Sequence, residues 1–114
     1  MLGESCVVFA KSYLGYRTEL GDGVIVNTGT QIDHHCKIEN GVTLDPGCVI
    51  AGNVYIGERA HLHTSVTVIN RINIGKCSEI GAGSLVLKDV HERTLNYGTP
   101  ATRIRELPNQ KSEI

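Results

Sequence analysis

The sequence predicts an all-β chain wound as a parallel β-helix, and three observations point to it. Every sixth residue is aliphatic, and a small or β-branched residue follows each one four places later. Bulk is scarce, with 13 Gly, one Phe and no Trp in 114 residues, so any core must be narrow and filled by aliphatics. Six steps of about 100° leave an α-helix about 120° short of closure, so a period of six cannot line one helical face. A prism with three flat sides accommodates it: each hexapeptide gives one short strand and one corner, and three complete a coil of 18 residues.

The elements follow in order from that frame. Leu2, Val8, Leu14, Leu20, Val26, Ile32, Ile38, Leu44, Ile50, Ile56, Leu62, Val68, Ile74, Ile80 and Val86 are fifteen consecutive hits. Each should point into the prism and stack on its equivalent 18 positions away, as in Leu2, Leu20, Ile38, Ile56 and Ile74. The small inward partners are Cys6, Ser12, Thr18, Val24, Thr30, Cys36, Val42, Cys48, Val54, Ala60, Val66, Ile72, Ser78, Ser84 and Val90. Fifteen hexapeptides make about five coils, or about 24 Å of stacked strands. We assign residues 1–91 to the β-helix and 92–114 to a C-terminal loop and tail packing on the helix or a neighbouring subunit.

Composition narrows the function. The length suits one domain. Eleven Lys and Arg against 12 Asp and Glu give no charge that would recruit nucleic acid or an anionic membrane. No apolar run approaches the roughly 18 residues of a spanning helix. Met1-Leu2-Gly3-Glu4 lacks the basic and apolar regions of a signal peptide, so a cytoplasmic location is expected. Cys6, Cys36 and Cys48 fall at inward positions, and none stacks on another Cys; buried free thiols are expected rather than disulfides. No Cys-x-x-Cys pair suggests zinc, and no metal is expected. Asp33-His34-His35-Cys36 spells the signature of protein palmitoyltransferases, but an inward Cys36 could not serve as an acyl-accepting thiolate.

His34 and His35 turn a corner two places after Ile32, where side chains point outward. Gly52 lies one coil above His34 and leaves bare backbone beside the imidazole. Thr28, Pro46, Thr64 and Ala82 form another corner stack of small residues, and the two features together suggest a groove for an extended, flexible ligand.

Asn27-Thr28-Gly29 with Ile32-Asp33-His34-His35-Cys36, then Ala51-Gly52-Asn53-Val54 and Ile80-Gly81-Ala82-Gly83-Ser84, resembles the hexapeptide-repeat sugar O- and N-acyltransferases. Sialic acid O-acetyltransferases and bacterial UDP-amino-sugar N-acetyltransferases are the nearest in pattern, over residues 7–105. The resemblance implies a left-handed helix, against the usual right-handed crossover. It implies acetyl-CoA as acyl donor, a hydroxyl or amine of a sugar or nucleotide-sugar as acceptor, and His34 as general base. Asn27 would help hold the acceptor. CoA would bind between subunits of a homotrimer at Thr43, Gly52, Thr64 and Ala82, with Lys88 near a phosphate.

His35 stands where these relatives carry an acid beside the base. They also carry an N-terminal nucleotide-sugar-binding domain, so the acceptor is expected to be held by the β-helix alone or by a separate acceptor-binding partner. The stretch Gly98-Thr99-Pro100-Ala101-Thr102-Arg103 departs from their usual Gly-Asn-Pro-Ala-Arg, leaving Arg103 or Arg105 as a CoA contact. Two alternatives stand beside the enzyme. One is a catalytically silent CoA-binding or scaffold protein. The other is a metal site of the γ-carbonic anhydrase type drawing on His34, His35, His61 and His63. A homotrimer is also expected on physical grounds, because a prism only three side chains across buries little area by itself.

Overall fold

The computed structural model describes residues 1–108, and its regular structure is all strand. Fourteen two-residue strands follow one another at six-residue intervals, from β1 (Val7–Val8) to β14 (Leu85–Val86). They form the three faces of a left-handed parallel β-helix of about five turns, the hand that hexapeptide repeats fit. The first face takes β1, β4 (Ile25–Val26), β7 (Thr43–Leu44), β10 (His61–Leu62) and β13 (Glu79–Ile80). The second takes β2 (Tyr13–Leu14), β5 (Gln31–Ile32), β8 (Val49–Ile50), β11 (Thr67–Val68) and β14. The third takes β3 (Glu19–Leu20), β6 (Lys37–Ile38), β9 (Tyr55–Ile56) and β12 (Asn73–Ile74). Register advances by one coil at each pairing, as in Val26 with Leu44 and Leu44 with Leu62.

The second residue of each strand points inward, which is why the aliphatic period sets the fold. From Leu20 to Val86 all these residues are buried. The first coil differs from expectation. Leu2 and Val8 are exposed, Val8 at 39%, and Leu14 is half-buried.

The small inward residues do more than save space. Ser12 Oγ donates to the Asn27 carbonyl at 2.9 Å, Thr30 Oγ1 to Asp45 at 3.0 Å, Cys36 Sγ to Ala51 at 3.1 Å and Cys48 Sγ to His63 at 3.2 Å. Each bond satisfies a carbonyl at a corner of the next coil that the sheets leave over. All four cysteines are free thiols, with Cys36 and Cys48 buried as expected and Cys77 buried at a corner. Burial pushes the Cys36 thiol up and the Cys48 thiol up to about 11, so neither is a ready thiolate.

The last coil departs from the period. Ile74 bridges Val90, and Ile80 pairs with Asn96, both two residues earlier than a full coil would require. Residues 87–90 make a single bend where other corners hold a two-residue turn. Val90 therefore takes an aliphatic strand position, not the small inward position expected for it. Pairing continues past residue 91: β15 (Thr94–Gly98) extends the first face beside β13, and β16 (Ala101–Glu106) folds back on it antiparallel. The remainder of the assigned tail, 109–114, lies outside the described residues. Among those described, no helix is long and apolar enough to cross a membrane.

Candidate functional site

The corners decide where chemistry can sit. Their second residue adopts a left-handed backbone throughout, at Gly in some coils and at Lys11, Arg17, His35 (φ 56°) and Asn53 in others. His35 is thus held in a conformation fixed by the coil. Asp33 Oδ1 accepts the His34 N–H at 2.8 Å, closing the same turn from the other side.

Between the second and third faces the corner stack reads Tyr16, His34, Gly52, Asn70 and Lys88. The His34 imidazole lies over Gly52, where a Cβ would stand 2.6 Å from His34 Nε2 and 2.7 Å from Cε1. Only glycine leaves the ring that seat. His34 Nδ1 is 3.1 Å from His35 Nδ1, and the two rings meet edge to face at 83°. Tyr16 contacts His35 edge-on from the coil below, with ring centroids 5.8 Å apart. When His34 Nδ1–H donates to His35 Nδ1, the lone pair of His34 Nε2 is free.

The other candidates lie elsewhere on the prism. Asn27, Thr64 and Ala82 lie at the edge between the first and second faces, with Thr28 and Pro46. Asn27 Oδ1 caps its own turn by accepting Thr28 N–H at 2.8 Å, which leaves its NH2 end for another partner. Thr43 is half-buried on β7 of the first face. The expected single groove therefore divides over two edges, because one hexapeptide lies between residues 28 and 34. Lys88 is exposed at the terminal bend, where it and Arg103 line a depression of about 270 Å³ with Asp89 and Asn96. Arg105 is exposed on β16.

Between the two edges runs the second face, where three of the five outward strand residues, Tyr13, Val49 and Leu85, are apolar. Tyr13 is 53% and Val49 44% exposed on it, with Leu85 half-buried and Leu87 exposed beside them. The third face is more polar, presenting Glu19, Lys37 and Asn73 beside Tyr55. A depression of about 280 Å³ on the second face, lined by Tyr13, Gln31, Asp33 and Val49, borders the His34 corner.

The first face carries a cluster that sequence reasoning did not assemble. His61 Nε2 is 2.9 Å from Asp45 Oδ2, His63 Nδ1 is 3.5 Å from the same oxygen, and His63 Nε2 is 3.3 Å from Glu79 Oε1. The two imidazoles stack at 4.0 Å. The signal was His-x-His with carboxylates sixteen residues to either side, one coil less two positions.

Residues 35–70 match the family described as bacterial transferase hexapeptide (six repeats). In structure the chain is similar to GDP-perosamine N-acetyltransferase from Caulobacter crescentus, solved with CoA and GDP-perosamine. That match has 34% identity and a TM-score of 0.91, and covers 92% of this chain and 50% of that one. It is similar to the acetyltransferase domain of PglB from Neisseria gonorrhoeae, solved with acetyl coenzyme A, at 32% identity and a TM-score of 0.90, covering 91% and 51%. In sequence it is 30% identical to galactoside O-acetyltransferase of Lactococcus lactis, over 93% of this chain and 62% of the relative. The chain spans about half the length of the solved relatives it matches.

Proposed function

On the premise that this chain is a hexapeptide-repeat β-helix of the kind that sugar acetyltransferases carry, we propose that it moves an acetyl group from acetyl-CoA to a hydroxyl or amine of a sugar or nucleotide-sugar. The observation that carries this reading is His34, laid over the bare backbone of Gly52 with Nδ1 held by His35. His34 Nε2 takes the proton of the acceptor as its oxygen or nitrogen attacks the thioester carbonyl. The C–S bond then breaks, and the imidazolium returns the proton to the departing CoA sulfur. His35 does by hydrogen bonding part of what a carboxylate would do: it fixes the His34 tautomer and orientation, though without the opposing charge. Asn27 offers its free NH2 to the acceptor.

The donor groove requires a second copy. Asn27, Thr43, Thr64 and Ala82 gather at or near one edge, and His34, Gly52 and Lys88 at another, with the apolar second face between. In a homotrimer one subunit's Thr64–Ala82 edge meets the next subunit's His34 edge. That head-to-tail contact closes after three steps and covers Tyr13 and Val49. CoA lies in the resulting groove, and Lys88 with Arg103 supplies cations for its phosphates. The free thiols and the acetyl-CoA donor suit the cytoplasm.

Calorimetry with acetyl-CoA, followed by acetyl transfer to amino-sugar and sugar acceptors, tests the reading. His34→Ala should retain CoA binding and lose transfer by roughly 100- to 10,000-fold. Unchanged turnover would remove His34 from the role, and no binding at millimolar CoA would sink the acyltransferase altogether.

A further inference from the structure

We propose that Asp45, His61 and His63 bind one divalent transition-metal ion on the first face, a site independent of the acyl-transfer reading. The strand geometry makes it. His61 is on β10, and His63 follows two residues later, so both imidazoles leave the same side of the sheet. Asp45 sits one coil below His63, before the preceding corner, and its Oδ2 reaches both rings, at 2.9 Å from His61 Nε2 and 3.5 Å from His63 Nδ1. These ligand atoms all lie within 4.8 Å of one another. A tetrahedral ion with bonds of about 2.0–2.1 Å sets its ligands about 3.3 Å apart, and the two distances to Asp45 bracket that value.

A second observation points the same way. Glu79 Oε1 holds the far nitrogen of His63, Nε2, at 3.3 Å. A carboxylate there keeps the proton on Nε2 and leaves Nδ1, 3.5 Å from Asp45 Oδ2, with its lone pair, the arrangement by which outer carboxylates orient metal-bound histidines. The side chains are 24–36% exposed, so an ion can enter and at least one coordination position stays open to water or a ligand oxygen. Two imidazoles and one carboxylate select zinc, cobalt, nickel or copper over magnesium or calcium. All three ligands come from one chain, so the site does not need the trimer. Thr43 lies beneath His61 on the ladder and Thr64 follows His63, which places the ion beside the edge proposed for the donor groove.

The tag-free 114-residue chain, stripped with a chelator, would be titrated with Co(II) and then Zn(II). We expect one Co(II) per chain, with the visible bands of a low-coordinate ion, displaced by Zn(II), and a zinc-dependent rise in the melting temperature. Asp45→Asn and His63→Gln should each weaken affinity by at least about 10-fold, and Glu79→Gln by about 10- to 100-fold with the cobalt bands retained. A His34→Gln/His35→Gln variant should bind as the parent does. Saturable binding that survives His61→Gln/His63→Gln, binding lost with the His34/His35 pair, or no binding at sub-millimolar ion would each overturn the site. Urea unfolding of every variant separates lost ligands from lost fold.

Discussion

At Gly52 the absent side chain is what makes room for the imidazole. Placing a methyl group 2.6 Å from His34 Nε2 forces the ring out of its seat, while the backbone there needs no left-handed conformation. Gly52→Ala should therefore leave the urea midpoint nearly unchanged and cut acetyl transfer at least about tenfold, a cost of about 1.4 kcal/mol in the barrier, read from kcat/KM. Cys48 gives a second test. Its thiol is pushed from 9.0 up to about 11 by burial, so the folded chain holds a proton that the unfolded chain releases. That contribution to stability is complete below pH 9 and is lost as pH rises through about 11, on the order of 3 kcal/mol in all. Cys48→Ser keeps the donor to His63 and removes this titration. Urea midpoints of parent and variant should converge or cross between pH 8 and 11, and parallel curves would show that burial of the thiol does not matter. The sequence could show that His34 faced Gly52, because the two are one coil apart. It could not show the His34–His35 contact, which depends on the left-handed corner at His35.

At the scale of the element, each strand is only two residues long and is stable only as one rung among others. Ile56 has rungs on both sides, Ile38 below and Ile74 above, and is 0% exposed. Ile56→Ala should cost about 2–5 kcal/mol. Val8 occupies the same inward position on the first described coil, pairs on one side with Val26 and is 39% exposed, so Val8→Ala in this 114-residue chain should cost under about 1 kcal/mol; equal shifts in urea midpoint would contradict the stacking account. The fifteen-fold aliphatic period makes the strands readable in the sequence, because inward packing depends only on spacing. The shortened last coil was not readable. Val86 and Val90 continue the expected pattern of side chains, and only the bend at 87–90 shows that two residues are missing from the turn. The Asp45–His61–His63 cluster escaped for a related reason: Asp45 lies one coil below the two histidines, and their meeting depends on outward directions at matched register.

For the whole molecule, the uneven chemistry of the three faces is what a lone prism does not explain. Tyr13 and Val49 leave apolar surface between two edges that each hold half of the candidate residues. Light scattering should return about 37 kDa, three chains of 12.3 kDa, and Val49→Glu should lower it toward a single chain. A monomeric parent would leave Asn27 and His34 on separate edges and remove the proposed site. The uniform register has one more consequence. Because every pairing from Val7 to Val86 steps by the same interval, the molecule works as a ruler graduated in coils. Inserting or deleting a whole graduation changes length and leaves the cross-section alone, whereas a change of one residue turns every later inward side chain out of its column. Evolution can thus lengthen or shorten such a protein in whole graduations, and the spacing between His34 and any feature along its edge takes only discrete values.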